Sequence, residues 1–243
     1  MNLLIEQGNS SAKVAIYNKG IREASFVYEK FDTAAMQPLF ELYKLRYGIM
    51  SSVIMPDEEL QTELRKRLER FIWLDEQVPT PLVVKYKTPA TLGKDRLAAV
   101  VGAFHIKPGH DSLVIDAGTA ITYDLVDSTG AYLGGNISPG MNMRFKALHS
   151  YTKQLPLVTI SEAEVPLIGD STETAIRSGV ANGIVYEMDG VINKLRIRYP
   201  ELFIFLTGGN SFYFARRLEN ITFADINLVL TGLNRILEYN VEN

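Results

Sequence analysis

The chain has 243 residues, 47% of them hydrophobic and 22% charged, the balance of an ordinary globular protein. Twenty-five basic against 28 acidic residues leave a net charge of −3 with no basic block, so general nucleic-acid binding has no electrostatic support. Cysteine is absent, which excludes disulfides and thiolate chemistry, and no apolar run approaches the ~18 residues of a membrane span, so the expected setting is the cytoplasm.

In chain order, the first element is a strand around Leu3 and Ile5. No basic residue precedes it and Glu6 ends its apolar stretch, which is not the pattern of a signal peptide. A glycine turn follows, then a second strand and a turn at Asn18-Lys19-Gly20. IMSSVIMP (residues 49–56) reads as a strand, and DEELQTELRKRLERF (57–71) as a helix capped by Asp57. PLVVKYK (81–87) is a further strand and KDRLAAVVGAFHI (94–106) a further helix. After the turn-rich KPGHD (107–111) comes a second strand–glycine–strand block. Ile176, Val180, Ile184, Met188, Val191 and Leu195 lie at helical spacing and predict one long helix over about residues 171–198, ended by Tyr199-Pro200. LFIFL (202–206) is a buried strand, FYFARRLE (212–219) a helix, and LVLTGLNRILEYN (228–240) a terminal helix.

The two strand–glycine–strand blocks resemble each other. LLIEQGNSSAKVAIYNKG and LVIDAGTAITYDLVDSTG align without a gap at an offset of 110 residues, sharing Leu3/Leu113, Ile5/Ile115, Gly8/Gly118 and Gly20/Gly130. An acid fills the same slot in both, Glu6 and Asp116. Duplication is the better reading of that pattern. It predicts an α/β protein of two similar domains, 1–110 and 111–243, with a cleft between them.

Three strands end in small polar turns: EQGNSSAK after Ile5, DAGTAIT after Ile115, and TGGN after Leu206. Glycine lets a backbone approach a ligand closely, and neighbouring amides and hydroxyls donate to phosphate oxygens. Each turn alone is unremarkable, but three of them with two carboxylates and Lys13 suit a nucleoside triphosphate and its magnesium. Rival motifs are missing. Gly93-Lys94 is followed by Asp95, with Thr at position 88, so no P-loop exists; neither G-x-G-x-x-G nor G-x-S-x-G occurs. His105, His110 and His149 have no ligand-spaced partners.

The turns resemble the phosphate-1, phosphate-2 and adenosine elements of the acetate kinase, sugar kinase, Hsp70 and actin superfamily, whose ribonuclease H-like domains enclose a nucleotide cleft. Finer motifs resemble the type III pantothenate kinases: YKTPATLGKDR from Tyr86, DAGTAITYD from Asp116, GGNISPG from Gly134, STETAIRSG from Ser171 and LTGGN from Leu206. The likeness runs over essentially the whole chain. One departure is the first loop, which usually opens Asp-x-Gly-Asn-Thr in that family. Here it is Glu6-Gln7-Gly8-Asn9-Ser10, keeping the charge one methylene further out and keeping the hydroxyl.

The resemblance implies ATP-dependent phosphorylation of pantothenate to 4'-phosphopantothenate, the first step towards coenzyme A. It assigns ATP to Glu6, Gln7, Gly8, Asn9, Ser10, Ser11, Ala12 and Lys13, with Thr119, Gly208 and Gly209, and magnesium to Glu6 through water. It makes Asp95 the catalytic base. Tyr86, Gly93, Lys94, Asp95, Arg96 and Thr172 become the pantothenate site, and Asp116 the ligand of a monovalent cation, potassium or ammonium. It further implies a homodimer whose pocket takes residues from both chains, with neither nucleic acid nor membrane as partner. Two alternatives stay open: an accessory transcriptional regulator of the same family without kinase activity, and a related kinase acting on another small hydroxyl compound.

Overall fold

The computed structural model describes residues 1–55, 57–160 and 165–242. They form two compact units, one of residues 1–109, 129–133 and 227–243, the other of 110–128 and 134–226.

The first unit opens with an antiparallel hairpin, β1 (Asn2–Gln7) and β2 (Ala12–Asn18), extended by β3 (Ile21–Tyr28). The β2–β3 turn is tight: Lys19 and Gly20 take φ of 49° and 77°, the left-handed pair that suits the twist of a hairpin. α1 (Thr33–Leu42) crosses over to β4 (Tyr47–Ser52), which pairs parallel with β1. α2 (Glu58–Arg67) begins at Asp57, whose carboxylate accepts the Leu60 amide, with two acids in its first turn and three bases in its last. β5 (Arg70–Trp73) then pairs parallel with β4 and completes a sheet of order β3-β2-β1-β4-β5. Leu3, Ile5, Val14 and Ile16 meet Met36, Leu39, Leu60 and Leu64 in the core on one face of this sheet.

Further along, β6 (Val83–Val84) leads through a short 3-10 turn to α3 (Lys94–Ile106). The second unit starts with the hairpin β7 (Ser112–Ala117) and β8 (Ala120–Val126), followed by β9 (Ala131–Pro139), whose first residues pair with β6. α4 (Met141–Ser150) and the long α5 (Thr172–Arg196) pack on its sheet, and β10 (Phe203–Thr207), α6 (Ser211–Ala215) and β11 (Phe223–Ala224) complete it. The order β9-β8-β7-β10-β11 repeats that of the first sheet. The two units share one α/β plan, the ribonuclease H-like architecture that the resemblance implies.

Three expectations are corrected. The helix read over 57–71 stops at Arg67, because Phe71 belongs to β5 and fills the core beside Leu64. The strand read over 49–56 ends at Ser52, and its last position, 56, lies outside the described residues. The strand read over 81–87 keeps only Val83 and Val84. The repeat also changes in detail. Counted between the last paired residues, the first hairpin turns through four residues, 8–11, and the second through three, 118–120. The gapless alignment therefore holds for β1 and β7 but slips on the returning strand.

The terminal helix, α7 (Leu228–Val241), lies within the first unit, packed on α3. The crossing is close enough to exclude side chains. A Cβ on Gly232 would lie 1.7 Å from the Ala98 carbonyl oxygen, and one on Gly102 would lie 2.4 Å from that of Leu228. Because the obstacles are backbone atoms, only separation of the helices relieves them. Gly232→Ala is expected to cost about 1–3 kcal/mol, as overpacked sites do. At this chain length that corresponds to roughly 3–10 °C in melting temperature, measurable by calorimetry; an unchanged melting temperature would mean that the crossing carries no constraint.

Candidate active site

In the first unit the site grows from the end of β1. Leu3 and Ile5 face the core, so Glu6 stands on the opposite face of the sheet. The hairpin register sets Lys13 across from it, with Nζ 3.6 Å from Glu6 Oε2. That distance makes an ion pair but not a hydrogen bond, and Oε2 is buried without a hydrogen-bond donor. Burial pushes the Glu6 carboxyl up, Lys13 opposes this, and the charge of Asp95 adds to the upward push. The charge of Asp95 thus reaches Glu6.

The turn between β1 and β2 is closed by the Gly8 amide donating to the Ser11 carbonyl at 2.9 Å. Gln7 Nε2 donates to the Gly8 carbonyl at 3.0 Å. Gln7 and Ala12 are buried and Asn9 and Ser10 are exposed. The loop accordingly offers a ligand its backbone and the Asn9 and Ser10 side chains, while those of Gln7 and Ala12 shape it from beneath.

Asp95 lies in the first turn of α3, whose N-cap is Gly93. Its Oδ1 accepts the Arg96 amide at 2.8 Å, which fixes the carboxylate. A Cβ at position 93 would come within 2.6 Å of that same oxygen. Lys94 reaches back to the Pro89 carbonyl at 3.3 Å and to Glu76 at 3.8 Å. Arg96 is buried, with its guanidinium carbon 5.7 Å from the Tyr86 ring centre. Tyr86 in turn stacks on Tyr132, with centroids 6.0 Å apart and planes 19° from parallel. Tyr86, Gly93, Lys94, Asp95 and Arg96 therefore form one group, and Asp95 connects it to Glu6.

In the second unit Leu113, Ile115 and Ala117 face the core, which leaves Asp116 on the other face of β7. The turn after β10 packs directly against it. Gly208 has φ +87°, and a Cβ there would lie 2.3 Å from Asp116 Oδ1. The Asn210 amide donates to the Ala117 carbonyl at 3.0 Å, tying the Gly208-Gly209 turn to the Asp116 turn. Thr119 is in that second turn, where its carbonyl accepts the Gly140 amide at 3.1 Å. Asp116, Thr119, Gly208 and Gly209 are thus brought together. Thr172 opens α5 and lines a groove of about 840 Å³ between α4 and α5, walled by Leu148, Tyr151, Ile176 and Val180. Arg144, also on that wall, is held by Glu187 at 2.5 Å, and the same carboxylate accepts the Tyr123 hydroxyl at 2.7 Å.

Two residues at the second site were not singled out from the sequence. Thr122 lies across from Asp116 in register on β8, and Thr207 lies across from it on β10. The signal for Thr122 was the alternation in ITYD, which sets Thr122 and Asp124 on one face and Ile121 and Tyr123 on the other.

Comparison with solved structures supports the fold. A Campylobacter jejuni protein described as a Baf family transcriptional activator superposes with a TM-score of 0.61 at 24% identity, covering 99% of this chain and 100% of that one. A glucokinase from an Antarctic psychrotroph superposes with a TM-score of 0.55 at 10% identity, covering 98% of each chain. The likeness is one of fold: two sheets of one strand order, each ending its central strand near a carboxylate. More narrowly, the type III pantothenate kinase family model matches residues 2–194, and the chain belongs to that family. A type III pantothenate kinase from Phocaeicola vulgatus is 52% identical over 240 residues, and one from Porphyromonas gingivalis 45% over 243 residues, each with 99% of both chains covered.

The contact between Gly93 and Asp95 yields a test. Gly93→Ala should leave the melting temperature nearly unchanged, since the obstacle is one movable side chain. It should nevertheless displace the carboxylate and lower kinase turnover by about 10²-fold, the cost of a misplacement near 1 Å. Turnover equal to wild type would show that the Asp95 position is immaterial.

Proposed function

We propose that the protein transfers the γ-phosphoryl group of ATP to the primary hydroxyl of pantothenate, forming 4'-phosphopantothenate at the start of coenzyme A synthesis in the cytoplasm. The observation that carries this reading is the group of Asp95, Arg96 and Tyr86 at the start of α3, in a chain alignable end to end with type III pantothenate kinases. The decisive experiment is simple: the purified protein should consume ATP only when pantothenate is added.

Phosphoryl transfer passes through a loose transition state, so the protein's part is to position groups and neutralise charge. Asp95 is the base. The Arg96 amide occupies Oδ1, leaving the other oxygen to accept the attacking hydroxyl and take its proton late in the reaction. Arg96, braced on Tyr86, offers a planar fork of donors to the carboxylate end of pantothenate. Thr172, on the groove of the second unit, supplies a hydroxyl, and we assign the enzyme as a homodimer whose substrate pocket draws on both copies. The loop from Glu6 to Lys13 receives the ATP phosphates, with Thr119, Gly208 and Gly209 as further contacts.

Magnesium, when bound with ATP, neutralises phosphate charge. Among the described residues no three acids or histidines cluster, so most of its coordination falls to phosphate oxygens and water. Glu6, with an oxygen that lacks a donor, is suited to hold one of those waters. Asp116 is the ligand of a potassium or ammonium ion.

Two predictions separate these roles. Asp95→Asn keeps the shape and removes proton acceptance, so turnover should drop by about 10²-fold or more with ATP binding hardly altered. Activity within threefold of wild type would reduce Asp95 to a helix-end acid. For Glu6, charge should matter more than length. Glu6→Gln should lose most activity and need far more magnesium, while Glu6→Asp stays within about tenfold, because a water can bridge the missing methylene. Magnesium titrations in which both variants follow wild type would remove Glu6 from the metal site.

A further inference from the structure

Arg144, near the start of α4, ties that helix to three other elements of the second unit. Its Nη2 donates to Glu187 Oε2 on α5 at 2.5 Å and to the Ser138 hydroxyl at 2.8 Å, and its Nε donates to the Pro139 carbonyl at 2.8 Å. The other oxygen of Glu187 accepts the Tyr123 hydroxyl from β8 at 2.7 Å. Arginine holds its donors in a rigid planar fork, so three acceptors at these distances leave the guanidinium one orientation. Both charged side chains are largely withdrawn from water, 22% and 29% exposed, and such a pair is screened less than one on the surface.

The fork grips the last two residues of β9, Ser138 and Pro139. The next residue, Gly140, is pressed onto the turn between β7 and β8. Its amide donates to the Thr119 carbonyl at 3.1 Å, and a Cβ on it would lie 2.3 Å from that oxygen and 2.5 Å from the Gly118 carbonyl oxygen. Its own carbonyl accepts the Arg144 amide at 3.0 Å. Backbone meets backbone here, so a shift at the end of β9 displaces the Gly118-Thr119 turn as well.

Resting on the reading of that turn as an ATP contact, we infer that Arg144 and Glu187 are positioning residues for the nucleotide. Glu187 orients the fork, the fork fixes the end of β9, and the end of β9 seats the turn. Neither side chain need touch ATP. Two rival roles make different forecasts. If Arg144 attracted the nucleotide by its charge, removing the neighbouring acid would strengthen binding, since the site would become more positive. If Arg144, which also lines the groove with Thr172, met pantothenate there, its loss would fall on pantothenate.

The test is calorimetric titration of the full-length protein, with a non-hydrolysable ATP analogue plus magnesium as one ligand and pantothenate as the other. The nucleotide constant is readable whether or not pantothenate is phosphorylated. Glu187→Gln, which keeps the shape and drops the charge, should weaken the analogue by about tenfold, the low end of the range for supporting groups lost at metal sites. Pantothenate should bind within about twofold of wild type. Arg144→Lys keeps the charge without the fork and should lose as much. Should either variant not fold, Tyr123→Phe, which takes one donor from Glu187, should show a smaller loss of the same kind. Thr119→Val reports on the turn itself. If Thr119→Val weakens the analogue while Glu187→Gln and Arg144→Lys do not, the inference is overturned and the reading of the turn stands. Tighter analogue binding by Glu187→Gln, a loss confined to pantothenate, or an equal loss for both ligands overturns it as well. If no variant weakens the analogue, or wild type does not bind it, the ATP reading of the turn fails and takes the inference with it.

Discussion

A carboxylate withdrawn from water needs compensation, and its desolvation otherwise costs several kcal/mol. Each sheet of this protein carries one near the end of its first strand, Glu6 on β1 and Asp116 on β7, on the face opposite Leu3 and Ile5 or Leu113 and Ile115. Much of the surrounding structure follows from holding these two charges in place. Around Glu6 the answer is Lys13 from the adjacent strand. Around Asp116 the glycine at 208 clears room for the carboxylate, and hydroxyl-bearing residues flank it in the sheet.

Register decides which side chain meets each acid, and turn length decides register. Because side chains alternate along a strand, a shift of one residue exchanges one face for the other. The four-residue turn of the first hairpin brings Lys13 opposite Glu6, whereas the three-residue turn of the second brings Thr122 opposite Asp116. Two copies of one hairpin plan thereby acquire different neighbours, a lysine across from one acid and a threonine across from the other.

Asp95 belongs to a different construction. It begins a helix that is set by contact with α7, where Gly102 and Gly232 let two backbones meet with no side chain between them. Leu97, Val100 and Val101 on α3 and Leu233, Ile236 and Leu237 on α7 are buried. Rigid seating of α3 holds Asp95 where Glu6 feels its charge, and the Arg96 amide holds the carboxylate itself.

Read alone, the sequence determined the fold class, the two acid-glycine hairpins, the Asp57-capped helix, the helices from Lys94 and Thr172, and the motifs that identify the family. These are local matters: hydrophobic period, capping chemistry and glycine turns are written within a few residues of where they act. It left β5 and β9 unread, since Arg70–Trp73 and Ala131–Pro139 become strands only by pairing with neighbours remote in sequence. Nor could it place α7 in the first unit, a matter of which long-range surfaces meet. The identity of the residue across from each acid was also left to tertiary structure. A gapless alignment puts Tyr123 where Lys13 stands, but the shorter turn brings in Thr122, because hydrogen-bond pairing between strands, not sequence offset, fixes who faces whom.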